Sequence, residues 1–124
     1  MIPSTMFRTI LVATLSMTAM SAAANTDWRA DADRAMEAFR WQDAERIYRE
    51  QIARNSQDAD AWRALARVLS WSDRLTESRI AYQTAARLDS DSPSALLGLA
   101  STLQRDRAFD EAQKLYAEAA ARWP

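Results

Sequence analysis

The sequence lacks cysteine and histidine, two residue types on which many catalytic sites depend. Their absence excludes thiol nucleophiles, disulfides, imidazole bases and the usual zinc sites. Glycine occurs once, at Gly98, and proline three times. A glycine-rich phosphate loop is therefore excluded, and an all-β fold is disfavoured. Basic and acidic residues nearly balance, at 16 and 17, so the charge predicts neither a nucleic-acid surface nor a polybasic membrane patch.

Alanine, the strongest helix former, is abundant and accounts for 26 of the 124 residues. β-branched residues become few after the first 20 positions. A chain of this length forms one small domain at most. The composition therefore predicts a single all-α domain.

The N-terminal segment has the layout of a secretory signal peptide. Arg8 precedes an uncharged, mostly apolar run over 9–20, and Ala22-Ala23-Ala24 places small residues before Asn25. The alternative is a membrane anchor, but the apolar run is shorter than the roughly 20 residues that a spanning helix needs. We expect residues 1–24 to be a cleaved signal, followed by a folded domain over 25–124.

An internal repeat is the main signal in this domain. The three tyrosines, Tyr48, Tyr82 and Tyr116, lie 34 residues apart, and 34 is the period of a known helical repeat. Other positions share the same phase: Trp28, Trp62 and Leu96; Ala32, Ala66 and Ala100; Ala35, Leu69 and Leu103; Trp41, Leu75 and Phe109. The register predicts three units, 25–58, 59–92 and 93–124.

These residues make the chain resemble the tetratricopeptide repeat family. The second unit matches the family pattern with Trp62, Leu65, Ala66, Leu69, Ser78, Tyr82 and Ala85, and the third with Leu96, Leu99, Ala100, Leu103, Ala112, Tyr116, Ala119 and Pro124. The resemblance implies a solenoid of three helix–turn–helix units. Six helices are expected near 26–39, 42–54, 60–72, 76–88, 93–105 and 109–122.

One set of equivalent positions departs from the family pattern. The family usually has glycine in the turn within each unit, whereas this chain has Phe39, Asp73 and Arg107. Asp tolerates the left-handed backbone conformation better than a bulky side chain does. We therefore expect the turn to be formed differently in units one and three.

No catalytic site emerges from the carboxylates or hydroxyls. The acidic pairs Asp31/Asp33, Asp58/Asp60 and Asp89/Asp91 are each two residues apart, and such side chains diverge on a helix. The serines have no histidine to activate them. We expect no enzymatic activity, no metal and no cofactor.

The resemblance implies that the first helix of each unit lines a concave groove that takes extended peptides or partner helices. The candidate groove residues are Arg29, Arg63, Arg67, Trp71, Leu97 and Arg105. Arg63 and Arg67 are four residues apart and repel each other unless an acidic group lies opposite, which favours a carboxylate-bearing, partly apolar ligand. Alternatively, the two arginines pair with Asp33, Asp60 or Glu37, and Trp71 packs between units.

The last helix carries a second candidate surface. Tyr116, Ala119, Ala120 and Trp123 have the spacing of one helical face. An uncapped repeat end tends to associate. We expect this face to mediate self-association, to take a partner helix, or to meet a further part of a longer polypeptide.

These observations lead to a functional hypothesis. We expect an exported, non-catalytic adaptor that binds a protein or peptide, with no nucleic-acid partner and no small-molecule substrate. Residues 66–71 with Arg74 and Glu77 are similar to periplasmic repeats of outer-membrane and polysaccharide-export proteins, which suggests the periplasm of a Gram-negative bacterium. The alternative is a structural spacer that positions a neighbouring module in a larger assembly.

Overall fold

The computed structural model describes residues 28–124, which form six helices in three antiparallel pairs. The helices are α1 (Trp28–Glu37), α2 (Trp41–Arg54), α3 (Ala59–Trp71), α4 (Leu75–Leu88), α5 (Pro93–Arg105) and α6 (Phe109–Arg122). The predicted signal peptide, its cleavage site before Asn25 and the start of the first unit lie outside the described residues. Within 28–124, no helix is both long and apolar enough to cross a membrane.

The predicted helices agree closely with the structure. Five of the six begin and end within one residue of the expected bounds, and the first ends at Glu37, two residues early. Capping residues in the sequence explain where two of the helices begin. Asp58 accepts a hydrogen bond from the backbone N–H of Ala61 at the start of α3, and Ser92 caps α5 directly before Pro93. Both are preferred N-terminal arrangements.

Each helix packs against the next one along the chain, and α3 also packs against α5. Small residues in the shared columns let the helix backbones approach closely: Ala32, Ala66 and Ala100 are at most 1% exposed. The tyrosine column fills the space between units, since Tyr48 and Tyr82 are buried. Unit one is the pair α1–α2, unit two α3–α4 and unit three α5–α6.

The turns within the three units are alike, so the expectation of a different turn in units one and three is wrong. Phe39, Asp73 and Arg107 all have left-handed backbone conformations, with φ of 57°, 61° and 62°. In unit one, Phe39 N–H donates to the carbonyl of Met36 and Arg40 N–H to that of Ala35. Units two and three repeat this pattern, which is a Schellman motif. The required crossing of the two helices imposes the left-handed residue even where its side chain disfavours it.

Charged side chains join the first two units on the outside. We call the contact between units one and two the first junction, and that between units two and three the second junction. At the first, Glu45 and Arg49 of α2 face Arg74 and Glu77, which lie at the start of α4. Arg74 is 2.7 Å from both carboxylates, and Arg49 is 3.0 Å from Glu45 and 3.4 Å from Glu77. These hydrogen bonds from Arg74 lower the pKa of Glu77.

The second junction depends on a close approach between a ring and a backbone. Gly98 of α5 faces the ring of Tyr82 from α4, and a β-carbon at Gly98 would lie 2.3 Å from Cε1 of that ring. No side chain other than hydrogen fits there without movement. The one glycine in the chain therefore allows unit three to pack on unit two.

Candidate groove and aromatic edge

A cleft of about 320 Å³ lies beside α3 and α5. Its lining residues are Asp60, Arg63, Ala64, Arg67, Tyr82 and Ser94. The structure thus brings the predicted pair Arg63 and Arg67 next to Tyr82 and to Ser94, which lies in the first turn of α5. Tyr82 was predicted only as a core residue. The 34-residue spacing of the tyrosines predicts a buried position, but it does not predict which residues lie beside it.

Two of the predicted arginines share one carboxylate at the edge of this cleft. Asp60 lies 3.1 Å from Arg63 and 3.3 Å from Arg29, which comes from α1. All three side chains are substantially exposed, so such pairs contribute at most about 1 kcal/mol. The alternative that Arg63 is paired within the protein is therefore confirmed for Asp60.

Arg67 differs from its neighbour. Within residues 28–124 its guanidinium makes no ion pair within 4 Å, and the side chain is exposed. It lies near Tyr48 and Tyr82: burial raises the pKa of both phenols, and the charge of Arg67 opposes that rise. The phenols stay neutral at physiological pH, so an anion from outside can still use the positive charge of Arg67.

Trp71 belongs to a surface cluster of three aromatic rings, Phe39, Trp41 and Trp71, which we call the aromatic edge. Trp41 is half-buried against the core, and the other two rings are exposed. The Trp71 ring lies edge-on to Trp41 at a centroid distance of 5.5 Å, and Trp41 lies edge-on to Phe39 at 5.5 Å. Phe39 is 75% exposed and Trp71 53%. Arg67 adjoins one end, with its guanidinium carbon 5.7 Å from the centroid of Trp71. Trp71 therefore packs between units, as the alternative held, and also presents an open face.

Sequence reasoning named Phe39 only as a turn residue, and it assigned Trp41 a structural role at an equivalent position of the repeat. A usable signal was present, since two aromatic residues flank a predicted turn at positions 39 and 41. Comparison of equivalent positions in the three units does not reveal contacts between non-equivalent positions, such as the contact of Trp41 with Trp71.

Arg105 and Leu97 have different surroundings on α5. Arg105 donates hydrogen bonds to the backbone carbonyl of Ser70 and to its Oγ, the latter at 2.8 Å, and lies 3.9 Å from Asp73. Its guanidinium thus joins unit three to unit two. Leu97 is 42% exposed and carries its apolar side chain into solvent.

A buried group of hydroxyls accompanies this contact. Ser78 Oγ donates to the carbonyl of Ala66 at 2.7 Å and lies 3.4 Å from Thr102 Oγ1, which in turn is 3.5 Å from Ser70 Oγ. Thr102 also donates to the carbonyl of Gly98 at 2.9 Å. Every hydroxyl has a partner, which is what a structural role requires.

The predicted apolar face of the last helix is only partly present. Tyr116 is 38% exposed, and its hydroxyl lies 3.3 Å from Gln104 Oε1. The expectation that Trp123 extends this face is wrong, because α6 ends at Arg122 and the following residue leaves the helical conformation. The indole N–H of Trp123 donates to the carbonyl of Asp91 at 3.2 Å, in the segment between α4 and α5.

The described residues offer binding chemistry. Among residues 28–124, no three acidic side chains are grouped so that they could hold a metal ion. The candidate site consists instead of an exposed cation, neutral phenols and aromatic rings, which suit recognition of an anionic and partly apolar group.

No protein-family model matches the sequence, and no curated protein matches it. Solved structures do. The TPR2B domain of yeast Sti1, in a complex with pHsp70, is 18% identical, with 81% of this chain and 80% of that chain covered and a TM-score of 0.76. The TPR domain of Arabidopsis OM64 is 18% identical, with coverage of 82% and 84% and a TM-score of 0.75.

A bacterial structure shows the same likeness. The secretion translocator chaperone SycD of Yersinia enterocolitica is 16% identical, with coverage of 82% and 80% and a TM-score of 0.74. All three similarities extend over most of both chains, and six helices fit three repeat units. The chain therefore has the tetratricopeptide-repeat fold that its 34-residue period predicts.

Proposed function

We propose that this protein is a non-catalytic adaptor that binds an acidic segment of a protein partner in the cleft beside α3 and α5. The observation that carries the proposal is Arg67, an exposed cation without a carboxylate partner in the described residues, which lines a cleft of about 320 Å³. A guanidinium can bind a carboxylate through two parallel hydrogen bonds, and this geometry gives specificity as well as affinity.

The surroundings of Arg67 favour an anion. Ser94 lies in the first turn of α5, directly after Pro93, and the start of a helix carries a partial positive charge. Tyr82 adds a phenol to the lining of the cleft. Asp60 is the acidic residue in the lining, and it is already engaged by two arginines.

The structural neighbours give independent support. Two of them are tetratricopeptide regions of yeast Sti1 in complexes with pHsp70 and pHSP90, and a third is the CopN–Scc3 complex. These proteins use the fold in complexes with other proteins. A protein partner is therefore the class of ligand that the fold and the cleft both favour.

We further propose that the adaptor works outside the cytoplasm, in the periplasm of a Gram-negative bacterium. Support comes from the sequence, in which an apolar run over 9–20 precedes three alanines. Mass spectrometry of the protein from its source should find an N-terminus within about two residues of Asn25. Recovery of folded protein with Met1 intact would contradict export by this route.

Affinity purification with charge variants tests the cleft. We expect Arg67→Glu to abolish capture of the partner and Arg67→Lys to retain part of it, because lysine keeps the charge but not the paired hydrogen bonds. Arg87→Glu is the matched control, since Arg87 is an exposed arginine of α4 that does not line the cleft. Circular dichroism should show equal helicity in all variants.

The outcomes separate the two candidate functions. Loss of one defined partner with Arg67→Glu, together with its retention by Arg87→Glu, supports the adaptor. Equal capture by both variants contradicts the cleft as the binding site. Absence of any partner that depends on these residues favours the structural spacer.

A further inference from the structure

Three positions of the repeat carry different residue types at the two junctions, although they are equivalent at the 34-residue spacing. At the first junction these positions carry Phe39, Trp41 and Trp71, the aromatic edge. At the second they carry Asp73, Leu75 and Arg105. Asp73 and Arg105 lie 3.9 Å apart, and Arg105 also bonds to Ser70. The second junction shows that two neighbouring units can pack together without an aromatic ring at any of these three positions.

The turn explains the backbone conformation of Phe39, which Asp73 and Arg107 share, but it does not explain the exposed aromatic ring. Its φ of 57° is unfavourable for a bulky side chain. Its ring is 75% exposed, so burial does not offset that strain. Asp73 occupies the same turn position and the same conformation in unit two. Strained residues and exposed apolar patches both concentrate at binding sites.

The aromatic edge is continuous with the candidate cation. Successive centroids from Phe39 to Trp41 to Trp71 are 5.5 Å apart, and the guanidinium of Arg67 lies 5.7 Å from the last of them. A polyproline II chain advances about 3.1 Å per residue. Two residues of such a chain advance about 6 Å, which is close to each of these three separations.

We propose that the aromatic edge, together with Arg67, docks an extended partner segment in which an acidic residue is followed by prolines two and four positions later. The acidic residue pairs with Arg67, the first proline lies against Trp71, and the second proline lies against Trp41 and the adjoining ring of Phe39. Charge complementarity favours an acidic residue at this position, because the Arg67 guanidinium forms no ion pair with a carboxylate of residues 28–124. Ring stacking selects proline, whose extended conformation is already formed before binding. The acidic half of this proposal rests on the proposed function of the cleft.

The open space beside Phe39 and Trp41 is compatible with the proline end of such a segment. A shallow depression of about 350 Å³ is lined by Phe39, Arg40, Trp41, Gln42 and Asp43. Arg40 and Asp43 are 3.4 Å apart and satisfy each other. The depression therefore offers ring faces without a further unpaired charge.

The first test is a titration of the full chain with the capped peptide Ac-Glu-Ser-Pro-Ser-Pro-Gly-NH2, followed by the indole N–H signals in an ¹⁵N–¹H spectrum. The signals of Trp41 and Trp71 should shift. Those of Trp62 and Trp123 should stay in place, because their indoles already donate to the carbonyls of Ser56 and Asp91. Peptides with Glu replaced by Gln, or with both prolines replaced by Ala, should each bind about tenfold more weakly.

The second test removes the strained ring. Phe39→Gly relieves the left-handed conformation, so the melting temperature should stay level or rise while peptide affinity falls about tenfold. Arg107→Gly makes the same backbone change in unit three and should leave affinity unchanged. A fall in melting temperature for Phe39→Gly without loss of affinity would show a structural ring and overturn the proposal.

The outcomes distinguish this proposal from the proposed function. If the Gln peptide binds as tightly as the Glu peptide, the Arg67 anchor of this segment is overturned, and the capture assay with Arg67→Glu decides separately whether the proposed function fails with it. If Glu dependence persists while the Trp41 and Trp71 signals do not move, only the aromatic edge is overturned.

Two other occupants of the edge would also overturn it. One is a second copy of the chain, shown by a dimer in sedimentation that Phe39→Gly dissociates. The other is a lipid surface, shown by binding to phosphatidylglycerol vesicles that Phe39→Gly abolishes while the peptide fails to bind.

Discussion

The first junction is joined at the surface by four charged side chains, whereas the second is joined in the interior by three hydroxyls and a glycine. At the first, Arg74 reaches Glu45 and Glu77 at 2.7 Å; Arg74 and Glu77 are exposed, and Glu45 is partly shielded. At the second, Ser78 and Thr102 are at most 1% exposed and hydrogen-bonded. Across the second junction, Arg79 of α4 makes longer ion pairs, at 3.6 Å, with Asp106 at the end of α5 and with Glu111 of α6.

This contrast shows that one backbone arrangement tolerates two kinds of contact chemistry. A surface network is weakened by salt and acid, because solvent screens and titrates it. Buried hydroxyls neither titrate near neutrality nor respond to salt, but they tolerate little change in shape. The two junctions should therefore fail under different conditions.

The largest effect is expected from adding one methyl group at the second junction. Gly98→Ala places a β-carbon 2.3 Å from the ring of Tyr82, and overpacking of this kind costs about 1–3 kcal/mol. That cost exceeds the gain of up to about 1 kcal/mol in helix propensity. Urea unfolding measures the difference, with Ser101→Ala on the exposed face of α5 as the control. A Gly98→Ala protein more stable than the parent would show that the ring moves aside freely.

A smaller effect is expected from removing one hydroxyl of the same junction. Thr102→Val should lower the free energy of unfolding by about 1 kcal/mol, because a buried hydrogen-bonding group is lost. Thr84→Val is the matched control: Thr84 Oγ1 donates to the carbonyl of Ile80 at 2.9 Å, the same bond within one helix, but outside the buried group. If the two variants lose equal stability, the bonds between units contribute nothing.

The smallest effect belongs to the first junction and appears only in acid. Arg74 and Arg49 hold the pKa of Glu77 below its usual value in the folded state. The resulting stabilisation is present above the unfolded-state pKa of about 4.3 and is lost as the pH falls through the folded-state pKa. Glu77→Gln should therefore flatten the pH dependence of the urea midpoint below about pH 4.5.

A matched variant separates the network from an ordinary surface pair. Glu118 pairs with Arg122 at 3.3 Å within α6 alone, so Glu118→Gln removes an ion pair without touching the contact between units. Equal flattening by both substitutions would mean that the contact between units adds nothing to the pH dependence.

The sequence predicts the fold well because its signals are local and repeated. The 34-residue period and the caps at Asp58 and Ser92 place five helices within one residue of their observed bounds. The turn prediction failed at Phe39 and Arg107, since local preference favours another conformation and tertiary packing of the two helices overrides it.

The candidate site was only half predictable. Arg63 and Arg67 are neighbours on one helix, so their spacing alone places them together. The contact of Trp71 with Trp41 joins different columns of different units, and no periodicity reports it. Trp123 was misplaced because the helical spacing was extended one residue past the end of α6.

The order of helix contacts has a consequence for hydrogen exchange. Within residues 28–124, the backbone of α1 packs against α2 alone, whereas α3 packs against α2, α4 and α5. In a linear array of this kind, terminal elements open with the least free energy. A segment bound to Arg67 and Phe39 would tie α3 to the turn that follows α1. Its binding should therefore slow the exchange of amides in α1, a helix that the segment does not touch.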